Sequence, residues 1–270
     1  MSKYTWIPEG ISLDKPNVAR MYDYLLGGFH NFAIDRAAVD KMMEIHPDMQ
    51  LGTFASRAFL RRVVNFIVAE GVEQFLDIGS GMPTVGNVHE VAHRTNPTTR
   101  VVYVDIDSVA VAHGNMILHD NPYVTMIRGD LGYPEQILNH PEVKQMINFD
   151  RPVGLLLLEV LHFILDDDHA YKVVRTLRDA IAPGSFIAIA HGTFDDCPED
   201  LEEQLTRLFR HYGTHTRWRP FALFSKFFEG FEIVEPGLVR IPLWRPEGPE
   251  DVLLDEPERV VGWAGVGRKP

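Results

Sequence analysis

The chain alternates between two hydrophobic periods. Short apolar runs at Phe75-Leu76-Asp77-Ile78, Val101-Val102-Tyr103-Val104-Asp105, Val124-Thr125-Met126-Ile127, 153–158 and 185–190 predict strands. Between them, apolar residues recur at helical steps. Ala55, Phe59, Leu60, Val63, Val64, Ile67 and Val68 predict an amphipathic core helix over 56–70. Val173, Val174, Leu177 and Ile181 predict another, which runs to Ala182 behind the acidic cap Asp166-Asp167-Asp168. Further helices are predicted over 86–95, stopped by Pro97, and from Ser108, which Asp107 could cap. Strands this apolar belong in a parallel sheet covered by helices on both faces.

The ends of the chain are read the same way. Residues 1–15 show no periodicity, and 18–26 form a short helix entered after Pro16-Asn17 and stopped by Gly27-Gly28, which leave a flexible turn before the loop Phe29-His30-Asn31-Phe32. Leu201, Leu205, Leu208, Phe209 and Tyr212 predict a helical insertion over 195–212, able to cover a site or only to pack on the sheet. The aromatic cluster Phe221, Phe224, Phe227 and Phe228 is read as core first and as an apolar pocket wall second. Two last strands are predicted at 231–235 and 260–264, joined by a proline-rich connection.

The first strand changes the picture because it breaks at Gly79-Ser80-Gly81 and turns into a helical segment. Glycine admits positive φ and lets a ligand approach the main chain. Asp77 stands near that strand's carboxyl end, Asp105 ends the second and Asp130 follows the third. Ligands of doubly wound sheets bind outside the carboxyl ends of the strands, where a carboxylate after the second strand accepts ribose hydroxyls, so three acids converge on one edge. A dinucleotide fingerprint would need a third glycine and free N–H groups at the helix start, where this chain has Pro83 and Thr84, so pyrophosphate binding is disfavoured.

Composition narrows the class. A formal net charge of −12 argues against tracking nucleic-acid phosphates or an anionic membrane. One cysteine, Cys197, excludes an intrachain disulfide framework and a multi-cysteine metal cluster. With no signal peptide and no apolar run near 20 residues in length, the expectation is a cytoplasmic protein with a small-molecule substrate, no nucleic-acid or membrane partner, and an open oligomeric state that includes a homodimer. His89-Glu90-Val91-Ala92-His93 matches the zinc pattern H-E-x-x-H, but the helix ends at Asn96-Pro97 before a third ligand; a solvated helix face is the favoured reading, and no metal is expected.

These residues resemble the class I S-adenosylmethionine-dependent methyltransferases. The likeness sharpens to a bacterial S-adenosyl methyltransferase subfamily first grouped as a domain of unknown function (DUF574-like). It is carried by Ala19-Arg20-Met21-Tyr22-Asp23-Tyr24-Leu25-Leu26-Gly27-Gly28, Gly86-Asn87-Val88-His89-Glu90-Val91-Ala92, Val160-Leu161-His162-Phe163, Ala182-Pro183-Gly184-Ser185 and Gly265-Val266-Gly267-Arg268-Lys269-Pro270. The resemblance implies an α/β, Rossmann-like fold with a seven-stranded, mostly parallel sheet whose last two strands form an antiparallel edge pair. An N-terminal helical cap segment (1–70) and a methyltransferase domain (71–270) would form one structural unit. It also implies that S-adenosylmethionine is the cofactor and S-adenosylhomocysteine the product. Gly79 and Gly81 would pass its methionine part, Asp105 would hold the ribose, and Asp130 with the Leu131 backbone would meet the adenine amine. The expected cofactor residues are Tyr22, Asn31, Asp77, Gly79, Ser80, Gly81, Asp105, Ile106, Asp130, Leu131, Glu159 and His162. His162 is also the candidate catalytic acid or base, with a hydrogen-bonded core histidine as its bland reading.

The chain departs from the subfamily at Phe29-His30, where relatives usually carry Lys-Asp, at Gly132 in place of Arg, and at Glu159 in place of a small apolar residue. These positions bear on substrate choice. Methyl transfer needs an acceptor placed in line with the methyl carbon, and a general base only where the acceptor is protonated, so no catalytic residue follows from sequence alone. The segment 22–32, with Tyr22, Asp23 and Asn31, is expected to act as a lid over the cofactor or to pack on the sheet. A regulatory protein that binds the cofactor without turnover, or an interaction module that keeps the fold, are the alternatives to an enzyme.

Overall fold

The computed structural model describes residues 15–83, 86–198, 200–248 and 251–270; the expectations placed on residues 1–14 and Thr84 lie outside them. The chain opens with α1 (Val18–Leu25), α2 (Ala33–Ile45) and α3 (Met49–Ala69). The sheet region follows as β1 (Gln74–Ile78), α4 (Val88–Ala92), β2 (Arg100–Asp105), α5 (Ser108–Leu118), β3 (Val124–Arg128), α6 (Pro134–Leu138), α7 (Pro141–Met146), β4 (Gly154–Leu158), α8 (Asp167–Ala180) and β5 (Phe186–His191). The last elements are α9 (Leu201–His211), α10 (Phe221–Phe224), β6 (Glu232–Ile233), β7 (Val239–Arg240) and β8 (Trp263–Arg268). Among the described residues, no helix is long and apolar enough to cross a membrane.

The strand order is β3-β2-β1-β4-β5-β8-β6, with β7 also paired to β8. The first five strands are parallel, and β8 runs antiparallel to β5, β6 and β7. Because β6 meets β8 at Gly267 and Arg268 while β7 meets it at Trp263 and Ala264, the two short strands share one broken edge. The sheet therefore has the expected seven positions, the last split in two. Side chains alternate between its faces. Phe75, Val101, Tyr103, Leu156 and Ala188 pack against the Phe59, Val63 and Ile67 stripe of α3, and Leu76, Val102, Leu155 and Ile187 pack against Val173, Val174 and Leu177 of α8. Gly154 lets α3 and β1 close in, since a Cβ there would lie 2.5 Å from the Phe75 ring.

Several boundaries differ from the sequence reading. The last strand is shifted from 260–264 to Trp263–Arg268. Its glycines, poor strand formers by propensity, are required by packing: a Cβ on Gly265 would lie 2.3 Å from Leu238, and one on Gly267 would lie 2.7 Å from Phe231. The strand predicted at 231–235 shortens to Glu232–Ile233, and the helix predicted over 86–95 shortens to Val88–Ala92. α3 begins at Met49, a turn and more before 56. α2 has no counterpart in the sequence reading, because its narrow buried stripe of Ala38, Val39 and Met42 is broken up by charged residues.

α1 and α2 form a small layer with Phe209 of α9, built on Met21, Leu25, Val39 and Met42. A buried ion pair fixes it. Arg20 Nε donates to Asp35 Oδ2 at 2.8 Å, with side chains 2% and 0% exposed, and the same carboxylate accepts the Asn17 and Phe32 backbone N–H groups at 2.9 and 2.8 Å. Removing one partner of such a pair strands the other charge, at a cost of about 3–5 kcal/mol. Asp35→Ala is therefore expected to lower the unfolding free energy by that order in a denaturant titration. A midpoint within error of wild type would show that the cap does not depend on this pair.

Candidate active site

The strand order reverses between β1 and β4, so the loops after these two strands flank the crevice where ligands of doubly wound sheets bind. After β1, Gly79 (φ +78°) and Gly81 (φ +64°) turn the chain away from the sheet. A Cβ on Gly79 would lie 2.3 Å from Val160 of the β4 loop, whereas one on Gly81 would meet no atom of the described residues within 4 Å. Gly79 is thus required by protein packing, and Gly81 is not.

Asp105 holds this turn. Its Oδ2 accepts the Gly81 N–H at 2.8 Å and its Oδ1 accepts the Asp107 N–H at 2.8 Å. A carboxylate has room for about four hydrogen bonds, and the backbone N–H groups of Gly81, Asp107 and Ile106 are directed at this one, leaving capacity for a further donor. Burial pushes the Asp105 carboxyl upward, against the pull of these backbone donors. Ile106, next to it, is 58% exposed, an apolar face at the mouth of a polar edge. Asp107 caps α5 through the Val109 and Ala110 N–H groups. On the neighbouring strand end Asp130 is exposed, with its Oδ1 on the Gly132 N–H at 2.8 Å, and Leu131 is buried.

Asp77 lies within β1 and is 5% exposed; burial pushes its carboxyl up to about 7 against the opposing charge of Arg57. Arg57, on α3, lies beside Asp77 and Tyr22 and was not singled out from the sequence. Its guanidinium lies 5.5 Å from the centroid of the Tyr22 ring, and its Nε is buried with no hydrogen-bond partner. In sequence it is one arginine in an amphipathic helix, indistinguishable from a solvent-facing one.

Glu159 follows β4 with φ +54°, a left-handed conformation that is strained for a residue with a side chain. Burial pushes its carboxyl up to about 7, opposed by a hydrogen bond from the Gly192 N–H. His162 Nδ1 lies 4.0 Å from Glu159 Oε2, beyond a direct hydrogen bond, and is buried without a partner. The His162 ring packs against Phe163 and Trp218, with centroids 4.2 and 4.6 Å away. Arg219, fully buried, holds this loop by donating to Leu161 O at 3.0 Å, Ile164 O at 2.7 Å and Asp167 Oδ1 at 2.9 Å.

The α1 segment reaches both sides of this edge. Asn17 Nδ2 donates to Asp107 Oδ2 at 2.7 Å, the His30 and His113 rings lie 4.0 Å apart, and Tyr22 meets Arg57. The turn after α1 is tied down where the sequence suggested flexibility. Asp23 Oδ2 accepts from His30 N at 2.8 Å and Asn31 Nδ2 at 3.0 Å, and Gly28 is needed because a Cβ there would lie 2.1 Å from Asp23 Oδ1. The Asn31 amide also donates to Gly28 O and accepts from Arg36, so its polar atoms serve the turn. The structure thus brings Tyr22, Asp77, Gly79, Ser80, Gly81, Asp105, Ile106, Asp130, Leu131, Glu159 and His162 to the carboxyl edge of the sheet or the cap above it, and gives Asn31 partners within its own loop.

The H-E-x-x-H residues make local contacts on a half-exposed helix face, with Glu90 exposed and His89 and His93 part-buried. His89 Nδ1 bonds the Tyr103 hydroxyl at 2.8 Å and His93 Nε2 bonds Thr99 O at 2.8 Å. Glu90 accepts the Asn87 N–H at 2.8 Å in a capping box.

The family model described as S-adenosyl methyltransferase matches residues 4–270. The chain belongs to that family. A crystal structure of a protein from Thermobifida fusca is 41% identical with a TM-score of 0.91, over 98% of this chain and 99% of that one. A DUF574 family protein from Streptomyces avermitilis is 33% identical with a TM-score of 0.89, over 95% and 98% of the two chains. No curated protein matches the chain in sequence. The fold is that of the class I methyltransferases, and the cofactor of the family is S-adenosylmethionine.

The site makes one pH-dependent demand on the fold. Burial and the Arg219 charge lower the His162 imidazole to about 3, and burial lowers His191 well below its ordinary value. The unfolded chain binds these protons near the usual 6.5, so the stabilisation from keeping His162 neutral is present above that pH and is lost as pH falls toward about 3. The raised carboxyls of Asp77 and Glu159 act in the opposite sense, contributing stability below about 4 that is lost as pH rises through about 7. Comparison with His162→Phe isolates the histidine. Between neutral pH and about pH 5, wild type is expected to lose about 2 kcal/mol relative to the variant in urea unfolding; a pH-independent difference would show that His162 is protonated in the folded state.

Proposed function

We propose that this chain transfers the methyl group of S-adenosylmethionine to a small-molecule acceptor, in the cytoplasm, as the single cysteine suits. The observation that carries the reading is the glycine turn at Gly81, pinned by Asp105 at the point where the sheet reverses, with a buried guanidinium nitrogen left unpartnered nearby. These residues fit the cofactor group by group. Arg57 would meet the carboxylate of its amino-acid end, and Asp77 the ammonium, which would restore the charge that burial now suppresses. The remaining capacity of Asp105 would accept a ribose hydroxyl. Ile106 and Leu131 would face the adenine ring, and Asp130 its amine.

When bound, the cofactor would supply an electrophilic sulfonium methyl to the acceptor's lone pair, its sulfur keeping the S–CH3 electron pair as S-adenosylhomocysteine. The chain's own contribution is to orient and to exclude water. α1, tied to Asp107 by Asn17 and to Arg57 by Tyr22, would roof the reacting end. An apolar cavity lined by Glu159 and His162 offers room for an acceptor, which supports an enzyme over a protein that only senses the cofactor.

Calorimetric titration with S-adenosylhomocysteine tests this reading, and 5′-methylthioadenosine, which lacks the amino-acid end, serves as the control. Wild type is expected to bind both. Arg57→Gln should lose about 1.5–3 kcal/mol of affinity for S-adenosylhomocysteine, as expected for a hydrogen bond to a charged group, with the affinity for methylthioadenosine unchanged. Failure of wild type to bind S-adenosylhomocysteine would overturn the function; an equal loss for both ligands would overturn only the role of Arg57.

A further inference from the structure

A cavity of about 150 Å³ lies on the β4 side of the crevice, between the α1 to α3 layer and the loops after β4 and β5. Its volume matches what holds a single benzene-sized ring. Most of the wall is apolar and pliant, with Met21, Met42, Met49, Phe163, Phe209 and Trp218 among the lining side chains. Glu159 and His162 also line it. His162 is 5% exposed, with Nδ1 unpartnered and 4.0 Å from Glu159 Oε2. The nearest buried cation, Arg219, is committed to Asp167 and two backbone carbonyls. Strain in the Glu159 backbone, at φ +54°, is the further sign that this side chain is held where it is for a ligand.

We propose that this cavity is the methyl-acceptor site, and that it takes an uncharged, largely apolar molecule of ring size presenting one hydroxyl group to the Glu159 and His162 pair. The assignment rests on the methyltransferase reading above and adds the acceptor class to it. A hydroxyl donates one hydrogen bond and accepts others, so it answers both a carboxylate that only accepts and an imidazole N–H that donates. A carboxylate or phosphate on the acceptor would face Glu159 across an apolar wall with no uncommitted cation among its lining residues. A molecule with no polar group would leave the buried His162 nitrogen unsatisfied. As the hydroxyl oxygen takes up the methyl carbon, its O–H bond breaks and the proton passes to Glu159 and from there to solvent. A carboxyl lifted to about 7 is suited to that exchange at neutral pH.

The test measures binding, with no turnover. Phenol, toluene, benzylamine and benzoate are titrated into the protein saturated with S-adenosylhomocysteine and followed by calorimetry or ligand-observed NMR. Phenol should bind at least tenfold more tightly than toluene and benzoate, and more tightly than benzylamine. Glu159→Leu should bring phenol to the level of toluene, while Glu159→Gln, which keeps a carbonyl acceptor, should hold phenol within about threefold of wild type. A cooperative thermal unfolding transition near that of wild type shows that each variant is folded, and the four-probe comparison on wild type decides the matter if a variant is not. Equal binding of phenol and toluene, tightest binding of benzoate or benzylamine, or no binding of any probe overturns the proposal. If S-adenosylhomocysteine binds in those same samples, the methyltransferase reading survives; if it does not, that reading fails first.

Discussion

The geometry of the site depends on one buried carboxylate. Asp105 ends β2, and its two oxygens reach in opposite directions, one to the Gly81 N–H and the other to the Asp107 N–H. The first bond sets the turn after β1, and the second sets the start of the loop into α5. A charged acceptor holding two backbone donors is a strong constraint in a low-dielectric setting, and it costs desolvation of the acid, seen in the upward push on its carboxyl. The turn that results leaves Gly81 clear of the other described residues while Gly79 is locked against Val160. Asp105 thereby ties together two neighbouring strand ends, alongside the bonds from Gly79 and Ser80 N–H to Val104 O.

Around this constraint the N-terminal layer and the β4 loop are placed by buried arginines. Arg20 binds Asp35 and sets α1 against α2; Arg219 gathers Leu161, Ile164 and Asp167 and holds the loop that carries His162. Both side chains satisfy several acceptors at once, which a planar five-donor group does better than lysine. α1 then touches the β2 side through Asn17 and Asp107 and the α3 side through Tyr22 and Arg57. The cap is thereby part of the crevice wall. Its links are polar or aromatic contacts to Asp107 and Arg57.

The strand edge was legible in the sequence because its signals are local. An acid next to an apolar run, followed by glycine, is visible without knowing the neighbours, and Asp77, Asp105 and Asp130 reach the edge as read. Features that depend on distant partners were not legible. Arg57 reads as a surface arginine until Tyr22 and Asp77 are brought to it, and the left-handed backbone of Glu159 leaves no trace in residue type. β8 was displaced because strand propensity counts glycines against it, whereas Leu238 and Phe231 pack where side chains would otherwise be. Asn31 offers an amide donor and acceptor, and its bonds to Asp23, Gly28 and Arg36 became visible only in the fold.

The central claim is that the loops after β1, β2 and β3 and the α1 segment close on one cofactor. Amide hydrogen exchange, with and without saturating S-adenosylhomocysteine, addresses all of them in a single experiment. The account predicts joint slowing of exchange at Gly79 to Gly81, at Ile106 and Asp107, at Leu131 and Gly132, and across the α1 segment from Val18 to Asn31, with the H-E-x-x-H helix unchanged. Protection that spares the glycine turn and the β2 end, or exchange unaltered by the ligand throughout, would contradict it.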